Sequence, residues 1–139
     1  MTSYQYFPLD SAGGEIRLLT LLPGAFSQRI EIELNITTLQ IGHIPKYEAL
    51  SYCSGSSKNP KTIFVNGDSL SVTESLAMAL PYLRVIYRPG VLWIDAICVN
   101  QSDLQERSIQ VERMVDVYSW VDRVVVWLGQ GSKSSVLAF

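Results

Sequence analysis

Residues 91–129 read VLWIDAICVNQSDLQERSIQVERMVDVYSWVDRVVVWLG. Its first part, VLWIDAICV (91–99), is a near-continuous apolar run with a single charge, Asp95, the composition of a strand covered on both faces in a largely parallel sheet. Ser102 and Asp103, each followed three residues later by Gln105 or Glu106, supply two overlapping capping boxes. Leu104, Val111, Met114 and Tyr118 then recur at helical spacing, which predicts a helix of about four turns with those residues inward. The helix hands the chain to DRVVVWLG, a second buried strand, and strand, helix, strand in this order implies a right-handed parallel crossover.

Working outward, EIRLLTLLPG ends in a Pro-Gly turn signal, and RIEIELNI alternates Ile30, Ile32, Leu34 and Ile36 with Arg29, Glu31, Glu33 and Asn35. That pattern predicts an antiparallel hairpin with one wet face. YEALSYC reads as a strand feeding the small-residue loop SGSSKNPK. In TIFVNGDSLSV, Asn66-Gly67 lies between two short apolar runs and predicts a type I′ hairpin, because both turn positions need positive φ. Thr73 can cap a helix whose inward face is Leu76, Leu80 and Leu83, with Pro81 expected to kink or split it. Trp93, Trp127 and Tyr118 fall at core periodicity, and Trp120 lies just past the helix, where a partner can reach it.

The 139 residues fit one domain, long enough to bury about two thirds of the unfolded surface. Eleven basic against thirteen acidic side chains leave no basic stripe to neutralise a phosphate backbone, so no nucleic-acid partner is expected. The apolar runs fall far short of the ~20 residues that span a bilayer, and MTSYQYFPLD has neither a basic start nor an apolar signal core. The expectation is a cytoplasmic protein without a membrane partner. Cys53 and Cys98 have no second cysteine or histidine at metal-ligand spacing, so both read as free thiols and no metal site is expected; lone His43 is assigned nothing.

Three blocks of the chain, Tyr47-Glu48-Ala49-Leu50-Ser51-Tyr52-Cys53-Ser54-Gly55, VNGDSLSV and Leu92 through Gln101, resemble the signature of fungal heterokaryon incompatibility (HET) domains. The likeness runs on through Glu106-Arg107, Gln110, Met114 and Tyr118 to Val126-Trp127-Leu128-Gly129, and covers roughly residues 4 to 129 in matching order. Ser54 departs from the family's usual Trp. The resemblance implies a single HET domain over 1–139, with 1–45 an N-terminal β-hairpin extension, 46–129 the core motifs, and 130–139 a C-terminal tail compatible with truncation. It implies a signalling and interaction module of nonself recognition in vegetative incompatibility, leading to programmed cell death through a protein partner or self-association. HET domains are in turn similar to TIR domains, flavodoxin-like folds that signal by self-association and in some members cleave NAD. The fold class expected is therefore α/β, TIR- or flavodoxin-like, with a mostly parallel sheet. The alternative function is a NAD glycohydrolase, with NAD as substrate and no cofactor. TIR-type cleavage uses a glutamate after the strand corresponding to VVVWLG, and no Asp or Glu follows Asp122 here, which leans against enzymatic activity of the isolated chain.

In an open parallel sheet ligands bind beyond the carboxyl ends of the strands, which makes Asp95 the first candidate for chemistry. A carboxylate there can hold ribose hydroxyls or stabilise an oxocarbenium-like transition state during N-glycosidic cleavage. It can equally accept hydrogen bonds from the amides of residues 96–100 and fix that loop. Glu106 is the second catalytic candidate, although its place in a first helical turn is explained by the helix dipole and the unpaired amides there. Ser51, Tyr52, Gly55, Asn100, Gln101 and Arg107 complete the set as ligand-binding residues. Asn100 and Gln101 are equally suited to satisfying loop backbone groups, and Arg107 to a surface ion pair with Asp103.

Overall fold

The computed structural model describes residues 3–10, 14–39, 45–52, 59–86, 90–127 and 136–138. Strand β1 (Glu15–Leu21) pairs antiparallel with β2 (Glu31–Thr38) from Glu15 opposite Thr38 to Leu21 opposite Ile32. Ile32 and Leu34 of β2 point into the core and Glu31 and Glu33 into water, as the alternation requires, while Ile36 is exposed. The loop between the strands is held by Arg84, whose buried guanidinium donates to the carbonyls of Ala25, Gln28 and Arg29.

After β3 (Glu48–Tyr52), strands β4 (Lys61–Val65) and β5 (Asp68–Val72) form a hairpin through Asn66 and Gly67, whose φ values of 50° and 87° suit the two-residue turn read from the sequence. Asn66 has a second task. Its side-chain amide accepts from the Leu34 amide and donates to the Leu34 carbonyl, docking the hairpin tip on β2. Helix α1 (Glu74–Ile86) starts where the Thr73 hydroxyl accepts from the Leu76 amide, and buries Leu76, Leu80 and Leu83. Pro81 lies inside α1 without dividing it; the leucine face anchors the turns on either side of the missing donor.

Two expectations fail in the segment that decides the fold. VLWIDAICV is not one buried strand: β6 (Gly90–Trp93) stops after four residues, and Asp95–Cys98 form a short helix, α2. The turn closes because the Ile94 carbonyl accepts from Ile97 and Cys98 and the Asp95 carbonyl from Val99. Ile94, Ile97 and Cys98 stay buried in either conformation, so hydrophobicity alone did not distinguish them. Helix α3 (Leu104–Ser119) does not turn the expected face inward either. Its buried residues are Glu106, Gln110 and Val117, with Met114 and Tyr118 half-buried, while Leu104, Val111 and Val115 face solvent.

The sheet itself corrects the fold class. With β7 (Arg123–Trp127) and β8 (Val136–Ala138), eight strands lie in the order β5-β4-β2-β1-β6-β3-β7-β8. The neighbours β1–β2, β1–β6, β4–β5 and β7–β8 are antiparallel; only β2–β4, β3–β6 and β3–β7 are parallel. A mixed, mostly antiparallel sheet with few helices is not a mostly parallel TIR- or flavodoxin-like one. The reasons differ by pair: the two-residue turn at Asn66-Gly67 permits only an antiparallel β4–β5, and β1 enters antiparallel between β2 and β6, separating the β2–β4 parallel pair from the parallel strands around β3. Parallel pairing survives around β3, which lies between β6 and β7 with α2 and α3 in the connection from β6 to β7.

Candidate functional site

The three parallel strands β6, β3 and β7 end on the same side, and the register sets their heights. Ala49 of β3 is opposite Trp93, the last residue of β6, so Leu50 and Ser51 run past the end of β6 at the level where α2 begins with Asp95. A cleft of about 460 Å³ opens there, lined by Leu50, Ser51, Thr73, Asp95, Ala96, Gln101 and Tyr118. A smaller recess of about 110 Å³ adjoins it. Asp95 and Gln101 line both, and Val99, Arg107, Gln110, Val111 and Met114 complete the second. This is the crevice beyond carboxyl strand ends where open sheets hold ligands.

Asp95 is exposed, and no described residue donates a hydrogen bond to its carboxylate. Its backbone, not its side chain, is bound: the carbonyl accepts from the Val99 amide and, at 2.9 Å, from the Gln101 side-chain amide. Its charge is felt across the cleft, because burial and then the nearby Asp95 carboxylate raise the pKa of the Tyr118 phenol. Tyr118 is held in place by an edge-on contact with buried Trp93, ring centroids 5.8 Å apart. At the back of the recess Gln110 gives its amide nitrogen to the Glu15 carbonyl at 3.3 Å, while its buried side-chain oxygen has no partner among the described residues.

Glu106 has a different environment. Its carboxylate meets the Arg17 guanidinium head-on through two contacts of 2.8 Å and also accepts from the Asn100 amide at 2.5 Å. Both side chains are sealed, Arg17 at 1 % exposure and Glu106 at 6 %. Arg17 further donates to the carbonyls of Cys98 and Phe7 and lies 4.7 Å from the centre of the Tyr6 ring, and the Tyr6 hydroxyl donates to the Ile97 carbonyl. One guanidinium thus ties β1, the N-terminal segment, the end of α2 and the start of α3 together. The capping box forms only by half. Asp103 accepts from the Glu106 amide at 3.1 Å, but Glu106 turns to Arg17 and not back to the Asp103 amide, which donates to the Asn100 carbonyl.

The loop before α3 is braced by the residues expected to read a ligand. The Asn100 side chain accepts from the Ser102 amide, and Gln101 donates to the Asp95 and Val99 carbonyls. Arg107 is exposed at the rim of the recess and does not pair with Asp103, which is spent on capping. The cleft therefore gathers Ser51, Asp95 and Gln101, and the recess adds Arg107. Asn100 stays in the loop, and Glu106 lies behind it. Tyr52 ends β3, and Gly55, like Ser54, Cys53 and His43, falls outside the described residues. Cys98 is free and buried; burial pushes its thiol up to about 12. Among the described residues no group of His, Cys, Asp and Glu has the arrangement of a metal site, and no helix is long and apolar enough to cross a membrane. Arg17 is the residue that sequence reasoning missed, although it carries a signal: the one charge within the apolar run IRLLTLL (16–22), the same oddity that marks Asp95.

Residues 47–139 match the family described as Heterokaryon incompatibility protein (HET). A curated relative from Neurospora crassa, Heterokaryon incompatibility protein 6, OR allele, is 39 % identical over 140 aligned residues, which take in 91 % of this chain and 20 % of the relative. The chain thus spans about a fifth of that protein's length. No solved structure matches.

Proposed function

Since the chain belongs to the fungal heterokaryon incompatibility family, we propose that it is a signalling and interaction module of nonself recognition in vegetative incompatibility. Engagement of a second copy or another protein would lead to programmed cell death. The family match and the name of the Neurospora relative support the incompatibility role. The observation that carries the choice of a module over an enzyme is the Arg17–Glu106 pair. With both carboxylate oxygens of Glu106 bound to Arg17 and Asn100, Asp95 works without the second carboxylate that an acid–base pair needs. Asp95, Gln101 and Arg107 remain as polar groups at an open surface.

The test is induced expression of the chain in a filamentous fungus, with loss of viability followed by vital-dye uptake. Death that is reduced by Asp95→Asn, with equal protein levels, supports the reading; a chain that is inert in compatible and incompatible backgrounds alike overturns it. A second reading, NAD glycohydrolase, is favoured by one feature: Ser51 and Asp95 line a cleft whose volume accepts part of a nucleotide. Nicotinamide release from NAD by the purified chain, abolished by Asp95→Ala, would replace the first reading with this one.

A further inference from the structure

Helix α3 departs from the usual amphipathic pattern, burying two polar side chains and leaving three large apolar ones in solvent. Its inner side carries the buried Glu106, Gln110 and Val117, while Leu104, Val111 and Val115 stand outside at 72 %, 63 % and 71 % exposure. With Ser108 these outer residues are spaced four, three and four apart, which is the spacing of a seam between two parallel or antiparallel helices. Leu104 and Val111 take one of the two seam positions of the heptad, Ser108 and Val115 the other. Arg107 and Met114 then flank the seam on one side, Gln105 and Glu112 on the other.

Charge decides what covers such a seam. When two copies of a helix pair in parallel about a two-fold axis, a residue on one flank meets the residue five places further along on the opposite flank of its partner. Five places beyond Arg107 is Glu112, so the symmetric pair makes this contact twice. In the antiparallel arrangement like flanks meet, and Arg107 would face Arg107 and Met114 while Glu112 faced Glu112 and Gln105. We propose that the outer face of α3 is a homodimer seam in which two copies pair α3 in parallel, Arg107 of each bonded to Glu112 of the partner subunit. This gives the self-association within the proposed function a surface, and it rests on that reading only for its biological purpose. The seam is about 16 Å long, well below the extent of a standard stable interface, so the dimer is weak and forms at high local concentration, as a signal-dependent contact requires.

Sedimentation equilibrium of the chain over a range reaching about 1 mM tests this. Reversible dimerisation is expected, weakened about tenfold or more by Arg107→Glu and by Glu112→Arg, each of which turns two attractive contacts into two repulsive ones. An equimolar mixture of the two variants is expected to form a mixed dimer with affinity close to the original, since both contacts are then again between opposite charges. Val115→Asp should abolish association. All these side chains are exposed, so unchanged circular dichroism and thermal midpoints are the control for folding. A chain that stays monomeric, single variants that associate as well as the original, or a mixture that does not recover would each overturn the proposal. If association persists but ignores these charges, this surface falls and the signalling reading stands. If the mixture recovers but the fungal assay shows no death, the reading falls and the surface stands.

Discussion

Asp95 heads α2 and Glu106 lies in the first turn of α3, one short loop separating the two helices, and the fold treats the two acids in opposite ways. Glu106 is closed off from water with its oxygens met by Arg17 and the Asn100 amide. Asp95 is open to water, with no described donor on its carboxylate. The local sequence points the other way, with Asp95 inside an apolar run and Glu106 in a polar first helical turn. What separates them is the partner 89 residues away in β1, which turns one carboxylate into structure and leaves the other at the open surface of the cleft. A buried charge that loses its partner is costly, whereas an exposed one with no partner can be changed with little consequence for folding.

The largest effect expected from this contrast is at the sealed end. Arg17→Met or Glu106→Leu alone should cost about 3–5 kcal/mol, because each strands the other's charge in the interior. The double variant should recover most of that loss, apolar side chains of similar volume replacing the pair. Urea unfolding of the four proteins measures it. Additive losses, or single losses below about 1 kcal/mol, would mean the pair is wetter than its geometry indicates and would erase the contrast with Asp95.

The same contrast explains which parts of the molecule were legible from the sequence. Asn66-Gly67 and the alternation of RIEIELNI encode their structure within a few residues, and both hairpins are present. The charge at Asp95 stood out locally, and it does line the cleft. Strand direction was not legible because periodicity says which face is buried but not which strand lies alongside, and the hairpins outnumber the parallel pairs around β3. The burial of Glu106 was not legible because it depends on Arg17, and with Glu106 turned inward Leu104, Val111 and Val115 are left outside. Capping alone accounts for a glutamate in a first helical turn, so nothing local to Glu106 points to Arg17.

A second prediction concerns Cys98, which lies between the two carboxylates: its carbonyl accepts from Arg17, and its thiol, in the turn that begins with Asp95, is fully buried. Burial holds the folded thiol protonated to about 12, against an ordinary value of 9.0. Between these values the unfolded chain has released the proton and the folded chain has not. The folded state therefore binds more protons, and its stability falls as pH rises from about 9 toward 12. The share from this thiol approaches about 1.4 kcal/mol per pH unit. Cys98→Ala should flatten the alkaline stability profile by up to one proton, and an alkylating reagent should leave Cys98 untouched in the native protein at pH 8. Rapid native labelling would show that the α2 turn opens independently of the Arg17–Glu106 junction.

The smallest expected effect on stability is at the open end, and it is the most informative about function. Asp95→Asn removes a charge that no described residue pairs with, so its effect on unfolding should lie within about 0.5 kcal/mol. Its electrostatic effect should nevertheless be visible. The Asp95 carboxylate helps to raise the Tyr118 phenol by disfavouring a second negative charge in the cleft, so Asp95→Asn should lower the Tyr118 titration midpoint. Burial would still hold that midpoint above the ordinary value. Ultraviolet difference titration against a Tyr118→Phe reference isolates the signal. A midpoint that does not move would mean the carboxylate points away from Tyr118, and Asp95 would then lose its claim to the cleft while keeping its place at the head of α2.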